Sequence, residues 1–235
     1  MTRIDDPGVV REQYADESNL RARQALWEHR TGPDPKEILW RTLEEWGPKR
    51  LLEVGGGQGE LAERIQTELG ADVTFLDTSP RMVELAAARG GDAHVGDVQS
   101  LPFEDATFDT VVAAWMLYHV AGIDQAIAEM ARVLRPGGAL VAVTNSVDHI
   151  AELRRLIDVP WNSDWTFSRE NGEELLRRRF AEVARIDADV EVRVHDRDVL
   201  VAWGRSVSGE TREVPEDIDL PFVTHGRTTI FFATT

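Results

Sequence analysis

Between about Arg50 and Thr144, short apolar runs alternate with stretches of helical periodicity, and this alternation constrains the fold more than any other feature of the chain. Leu51-Leu52-Glu53-Val54 and Asp72-Val73-Thr74-Phe75-Leu76-Asp77 read as strands, as does a shorter run around Ala93-His94-Val95. Phe108 to Leu117 is a long apolar strand, and Ala139 to Thr144 another. Between them lie helices at about Glu60–Leu69, from Ser79-Pro80 to Gly90-Gly91, and from Ile123 to Leu134, the last ended by Arg135-Pro136-Gly137-Gly138. Ser79 reads as an N-cap with Pro80 at the first helical position. Strands separated by helices at this spacing imply βαβ units and a parallel sheet covered on both faces. Unbroken apolar runs such as Val111-Val112-Ala113-Ala114 fit strands buried on both sides.

The flanks are less regular. Leu20, Ala22, Ala25 and Leu26 share a helical face, then Thr31-Gly32-Pro33-Asp34-Pro35 interrupts it. A second helix carries Ile38, Leu39, Leu43 and Trp46 and stops at Gly47-Pro48. Past Thr144 the spacing predicts helices at Val147–Ile157, Arg169–Arg179 and Asp198–Ser206. It also predicts a strand through Val190, Val192 and Val194, an acidic loop at Gly209–Asp219 and a last strand over Thr228–Ala233. No linker divides the 235 residues, so one domain is expected: a helical cover over 1–49, a binding core over 50–145, and later helices and strands over 146–235.

A net charge of −16 weighs against nucleic acid or an anionic membrane surface as the main partner. With no cysteine, the chain has no disulfides, thiolate-ligated metal or thiol nucleophile. No apolar h-region follows the first residues, and no apolar run approaches the roughly 18–20 residues of a membrane span. A cytoplasmic location is the expectation.

The chemistry concentrates in Glu53-Val54-Gly55-Gly56-Gly57-Gln58-Gly59, between a strand and a helix. Glycines let the backbone approach a ligand, and the helix start offers free N–H groups. No Gly-Lys-Ser/Thr follows, which excludes a Walker loop. Asp77 ends the next strand, where nucleotide-binding folds place an acid on ribose hydroxyls; capping the following helix is the plainer use of such a residue.

Four ordered segments together resemble the class I S-adenosylmethionine-dependent methyltransferases, in their small-molecule branch. They are Glu53 to Gly59; Asp77-Thr78-Ser79-Pro80-Arg81-Met82; Gly96-Asp97-Val98-Gln99-Ser100-Leu101-Pro102-Phe103; and Phe108-Asp109-Thr110-Val111-Val112 through His119 with Arg132 to Gly138. The resemblance spans roughly residues 50–145. It implies a Rossmann-like three-layer αβα sandwich around a mostly parallel seven-stranded sheet, with an antiparallel last strand and an N-terminal helical cover. It implies S-adenosylmethionine as cofactor and methyl transfer to an O, N or C atom of a small molecule.

The same resemblance implies roles for individual residues. Gly55, Gly57 and Gly59 would let the backbone pass the cofactor's methionine part, and Glu53 would engage its amino group. Asp77, with Thr78 beside it, would take the ribose hydroxyls, and Met82 would pack on adenine, although its spacing also suits plain core. Asp97 would accept from the adenine amino group, with Val98 and Gln99 framing the ring; Gly-Asp also marks ordinary turns. Ala114 and Trp115 would border the sulfonium side. Tyr14 would close over the carboxylate end, and Arg21 or Arg23 could pair with it. His119 is the candidate general base, with an ordinary pKa suited to proton removal near neutrality; an imidazole that only orders a loop is the competing reading. Tyr118, Asn145, His149, Trp161 and Trp165 are acceptor-pocket candidates, with His225 a lesser one. No metal site is evident: Asp187 with Asp189, and Asp196 and Asp198 beside His195, read as solvated acids.

Two other readings compete. An NAD-type oxidoreductase would use the same glycine loop and Asp77, but no Tyr-x-x-x-Lys pair is present, the only lysines being Lys36 and Lys49. A non-catalytic cofactor-binding partner is the other. A nucleic-acid amino methyltransferase is disfavoured because Ala114-Trp115-Met116-Leu117 stands where an Asn/Asp-Pro-Pro-Tyr motif would fall.

Overall fold

The computed structural model describes residues 22, 24–158, 165–208 and 213–235. Its eight strands in chain order are β1 (Arg30–Thr31), β2 (Arg50–Val54), β3 (Asp72–Asp77), β4 (Asp92–Val95), β5 (Phe108–Ala114), β6 (Leu134–Asn145), β7 (Glu182–Val194) and β8 (Phe222–Thr234). They form one sheet in the order β1-β7-β8-β6-β5-β2-β3-β4. Pairings among β2 to β6 are parallel, whereas β8 runs antiparallel to both β6 and β7. The seven expected strands are thus present with the last one reversed. The eighth is the two-residue β1, which pairs with β7 through Arg30 and Thr31.

The helices are α1 (Pro35–Trp46), α2 (Glu60–Arg64, continued by a π turn over Ile65–Leu69), α3 (Pro80–Ala88), α4 (Ile123–Val133), α5 (Ala151–Leu156), α6 (Gly172–Arg177) and α7 (Arg197–Ser208). Asp34 caps α1, and the Ser79 hydroxyl accepts from Met82 N–H at the start of α3. One apolar layer packs Leu52, Val54, Val111, Leu140 and Phe231 against α4 and α6. The opposite layer packs Leu51, Phe75, Val112, Val143 and Ile230 against α1, α2 and α3. Among the described residues no helix is long and apolar enough to cross a membrane.

Several boundaries differ from the sequence reading. β6 starts at Leu134, not at Ala139, because Arg135-Pro136-Gly137-Gly138 is drawn into the sheet through a register shift opposite Phe108 and Thr110. The helix expected at Val147–Ile157 is only Ala151–Leu156. Ile150 precedes it with φ +49°, a left-handed conformation that delays the helix start. The helix expected at Arg169–Arg179 contracts to Gly172–Arg177, with a turn ahead of it in which Asn171 Oδ1 accepts from Ser168 N–H.

Candidate cofactor and acceptor site

Glu53 sits on the α1–α3 face of the sheet, in register with Phe75 on one side and Val112 on the other. Its carboxyl therefore stands in a row of apolar side chains and is only 1% exposed. Burial pushes its pKa up to about 8; a backbone hydrogen bond with Ala62 opposes the rise, and the charge of Asp77 adds to it. Its Oε2 is buried and has no hydrogen-bond partner among the described residues.

The glycine loop is shaped around this carboxyl. A Cβ on Gly56 would lie 2.3 Å from Glu53 Oε1, so only glycine leaves room for the side chain. Gly57 has φ +61°, and a Cβ there would meet nothing within 4 Å among the described residues. The loop thus presents bare backbone to open space beside an unsatisfied acid.

Asp77 closes β3 and is half-buried. Burial raises its pKa, while backbone N–H groups of Ser79 and Thr78 oppose the rise; Ser79 N–H donates to Oδ1 at 2.8 Å. Asp77 therefore braces the turn ahead of α3, while the cap of that helix is Ser79 and not Asp77. Thr78 is exposed beside it, and Met82 is half-buried on the first turn of α3.

Asp97 is exposed in the loop after β4 and accepts from Gln99 N–H at 2.8 Å and from Gln99 Nε2 at 3.1 and 3.0 Å. Gln99 Oε1 in turn accepts from Gly122 N–H at 2.9 Å, which ties this loop to the start of α4. Val98 is buried in the α4-side core. Sequence reasoning missed the clamp behind the loop: Arg132 donates to the Leu101 and Phe103 carbonyls and to Asp105, while Glu129 receives both Arg132 and Leu101 N–H. The spacing of Glu129 and Arg132 on α4 was the available signal.

Ala114 ends β5, and Trp115 follows with φ +54°, held by its N–H on Val143 O at 2.8 Å. A bulky residue in the left-handed region costs about 1–2 kcal/mol. His119 lies on a 3-10 turn over Leu117–His119, half-buried, with its ring 4.5 Å from that of Tyr118. Tyr118 in turn meets Trp165 at 5.0 Å. Thus His119, Tyr118 and Trp165 come together, and both Tyr118 and Trp165 are buried.

Asn145 and His149 gather elsewhere, where β6 leaves the sheet beside β8. Asn145 Oδ1 accepts from Thr228 Oγ1 at 2.9 Å, and His149 meets the backbone of Arg227. Trp27, which sequence reasoning passed over, packs its ring 5.4 Å from His149 and over Gly226. Only the absence of a side chain at Gly226 hinted at that seat. His225 is held by Glu152, whose pKa falls to about 2: burial raises it, but hydrogen bonds from its own backbone, His225 and Thr224 outweigh that. Asp189 pairs with Arg169, and Asp187 accepts from Thr229. Asp196 accepts from Asp198 N–H. Among the described residues no group of three or more acidic or imidazole side chains is arranged to hold a metal. Tyr14, Arg21, Arg23 and Trp161 lie outside the described residues.

Residues 52–142 match the protein family described as "Methyltransferase domain". A ubiquinone/menaquinone biosynthesis C-methyltransferase of Methylobacterium nodulans is 34% identical over 120 residues, 47% of this chain and 48% of that protein. A demethylmenaquinone methyltransferase of Thermus thermophilus is 37% identical over 106 residues, 42% of this chain and 48% of that one. The chain spans about half the length of these curated relatives. In fold it is similar to a phosphoethanolamine N-methyltransferase 2 of Haemonchus contortus, solved with phosphomonomethylethanolamine and S-adenosylhomocysteine. The TM-score is 0.66 at 17% identity, covering 100% of this chain and 60% of that one.

Proposed function

We propose that this chain is a class I S-adenosylmethionine-dependent methyltransferase that transfers the methyl group of that cofactor to a small molecule in the cytoplasm. The observation that carries the reading is the buried, unsatisfied Oε2 of Glu53 beside the open backbone of Gly57. A cationic amino group is what such an oxygen lacks, and a ligand chain can pass the glycine without a clash.

Bound, the cofactor supplies a sulfonium-activated methyl group. Glu53 holds its amino group and Asp77 its ribose hydroxyls. Met82, Asp97, Val98 and Gln99 frame the adenine, with the Arg132–Glu129 clamp keeping their loop in place. Ala114 and Trp115 border the reacting end. His119, on the turn just past them, takes the acceptor's proton where one must leave. The buried Tyr118–Trp165 pair walls the acceptor side and excludes water, which suits an aromatic acceptor. Because relatives over the matched half carry names for quinone C-methylation, a hydroxylated aromatic ring is the first acceptor to try.

Isothermal titration tests the cofactor: S-adenosylhomocysteine is expected to bind in the micromolar range, about −8 kcal/mol. Tight NAD binding in its place would overturn the proposal. Release of S-adenosylhomocysteine, screened against phenolic, amine and carboxylate metabolites, identifies the acceptor class.

A further inference from the structure

Beyond β7 the sheet has only the two-residue β1, so most of the outer edge of β7 is left without a neighbouring strand among the described residues. In an antiparallel ladder the N–H and C=O of one residue point to the same side, and successive residues alternate. Arg193 N–H donates outward to His29 O, so the odd-numbered residues of β7 direct their backbone groups away from β8. β1 takes the edge at Glu191 and Val192, and Gly32 crowds the next carbonyl, since a Cβ there would lie 2.7 Å from Asp189 O. At the other end Val183 O accepts from Arg177 Nη2 at 3.1 Å. Between these two stops the outward groups are those of Arg185 and Asp187, and none of the four is bonded to another described residue. Val183 and Asp189 are equally far along the chain from Ile186, so the free stretch is centred on that residue.

The side chains of this stretch divide by face. Ala184, Ile186 and Ala188 stand opposite Phe232, Ile230 and Thr228 of β8, on the α1–α3 side of the sheet. Ile186 is 44% exposed, and Trp46 at the end of α1 is 39% exposed with its ring edge-on to Phe232 at 5.9 Å. Apolar surface therefore runs from Ile186 and Ala184 over Phe232 to Trp46. The other face carries Arg185 and Asp187, both exposed and opposite in sign. Edge strands are commonly blunted by like charge, proline or a bulge. The stretch Ala184–Ala188 has no proline, no glycine and no net charge, and its register with β8 is unbroken.

We propose that this edge docks a second copy of the chain, the two β7 strands pairing antiparallel about a two-fold axis through Ile186. Outward groups meet outward groups only when the axis passes through a residue. On Ile186, Arg185 falls opposite the partner's Asp187 and Asp187 opposite the partner's Arg185, and each pair exchanges both of its backbone hydrogen bonds. Ile186 meets the partner's Ile186, and Ala184 the partner's Ala188. Moving the axis by one residue either way sets Arg185 or Asp187 against its own copy, which is unfavourable. Within one chain Asp187 already lies 3.5 Å from Arg185 and 3.8 Å from Arg169, so no charge is stranded before association. The contact is short, which makes it a weak, concentration-dependent one. The net charge of −16 on each copy opposes it at low salt and is screened beyond about 8 Å at physiological ionic strength. None of these residues belongs to the proposed cofactor site.

Sedimentation of the full chain at physiological salt, over a dilution series from micromolar to millimolar, tests the contact. Wild type is expected to pass from monomer to dimer and no further, because a two-fold contact of this kind closes on itself. Ile186→Lys should weaken dimerisation at least tenfold. Arg185→Asp and Asp187→Arg should each do the same, since each sets like charges opposite one another. An equimolar mixture of those two variants should recover the wild-type affinity, because every acid then faces an arginine across the axis. Circular dichroism of each variant checks that the fold is kept. Amide exchange of the wild type gives a measurement that needs no variant: the Arg185 and Asp187 amides are expected to be protected at high protein concentration and to exchange freely at low. A wild type that stays monomeric, a dimer indifferent to Ile186→Lys, a mixture that associates no better than the single variants, or amide exchange independent of concentration would each overturn the proposal.

Discussion

Replacing Glu53 by Gln tests whether the site is built around a carboxyl that the fold itself disfavours. Glu53 titrates at about 8 in the folded protein, against an ordinary value of 4.5. A carboxyl whose folded pKa is raised binds more protons folded than unfolded, so stability falls as pH rises. The loss begins above the unfolded pKa of 4.5 and is complete once pH passes about 8. Each tenfold in proton affinity is about 1.4 kcal/mol, so the ceiling of the penalty is about 5 kcal/mol. Gln has the same shape and no charge to desolvate. The cofactor-free variant should match wild type at pH 4.5 and be more stable at pH 8.5. In a chain of this length the ceiling corresponds to a Tm difference on the order of 10 °C. The order should reverse with ligand: in the proposed site S-adenosylhomocysteine would bring an ammonium to Glu53 and raise the wild-type Tm well above that of the variant. Thermal unfolding followed by near-ultraviolet circular dichroism at both pH values, with and without ligand, measures all four states. A gap between the proteins that ignores pH, or a variant less stable than wild type at pH 8.5, would refute the desolvation argument.

Other perturbations follow from the same geometry. Asp77→Ala removes the proposed ribose contacts and is expected to weaken S-adenosylhomocysteine at least tenfold by titration; unchanged affinity would remove Asp77 from that role. His119→Ala should lower turnover while cofactor affinity holds, and an acceptor whose methylation is unaffected would need no base at this position. In Gly56→Ala the new Cβ would strike the Glu53 carboxyl 2.3 Å away, so cofactor binding should be abolished and Tm should fall; retained binding would show that Glu53 can move aside. Arg132→Met unties the loop from Leu101 to Asp105 and should accelerate amide exchange there without altering the sheet.

The cofactor half was legible because its signals are local. A strand, a run of glycines and a helix lie within Leu51–Leu69, and the second acid follows at the next strand end, so spacing alone ordered them. The conformational fit of Gly57 could be anticipated, but not the reason for Gly56, which depends on where Glu53 points. The surroundings of Glu53 were hidden for the same reason: Phe75 and Val112 become its neighbours only through strand register. On the acceptor side the distances in sequence grow. Asn145 meets Thr228, and His149 meets Arg227, across some eighty residues, and no periodicity encodes such pairs. A helix length failed where Ile150 took a left-handed conformation, which no spacing of residues announces.

The insertion of β8 between β6 and β7 governs how the sheet is assembled. β7 precedes β8 in the chain yet has no pairing with β6, so both strands await a partner made after them. Until Phe222–Thr234 emerges, one edge of β6 with its apolar run Leu140–Val143 is open to pairing with any other chain. β1 comes first in sequence yet also waits, since Arg30 and Thr31 pair only with β7. The β2–β5 half can thus consolidate early from neighbouring segments, while β6, β7 and β8 close later. Slow synthesis or removal of the β8 segment would leave the β2–β5 half beside an open, aggregation-prone edge.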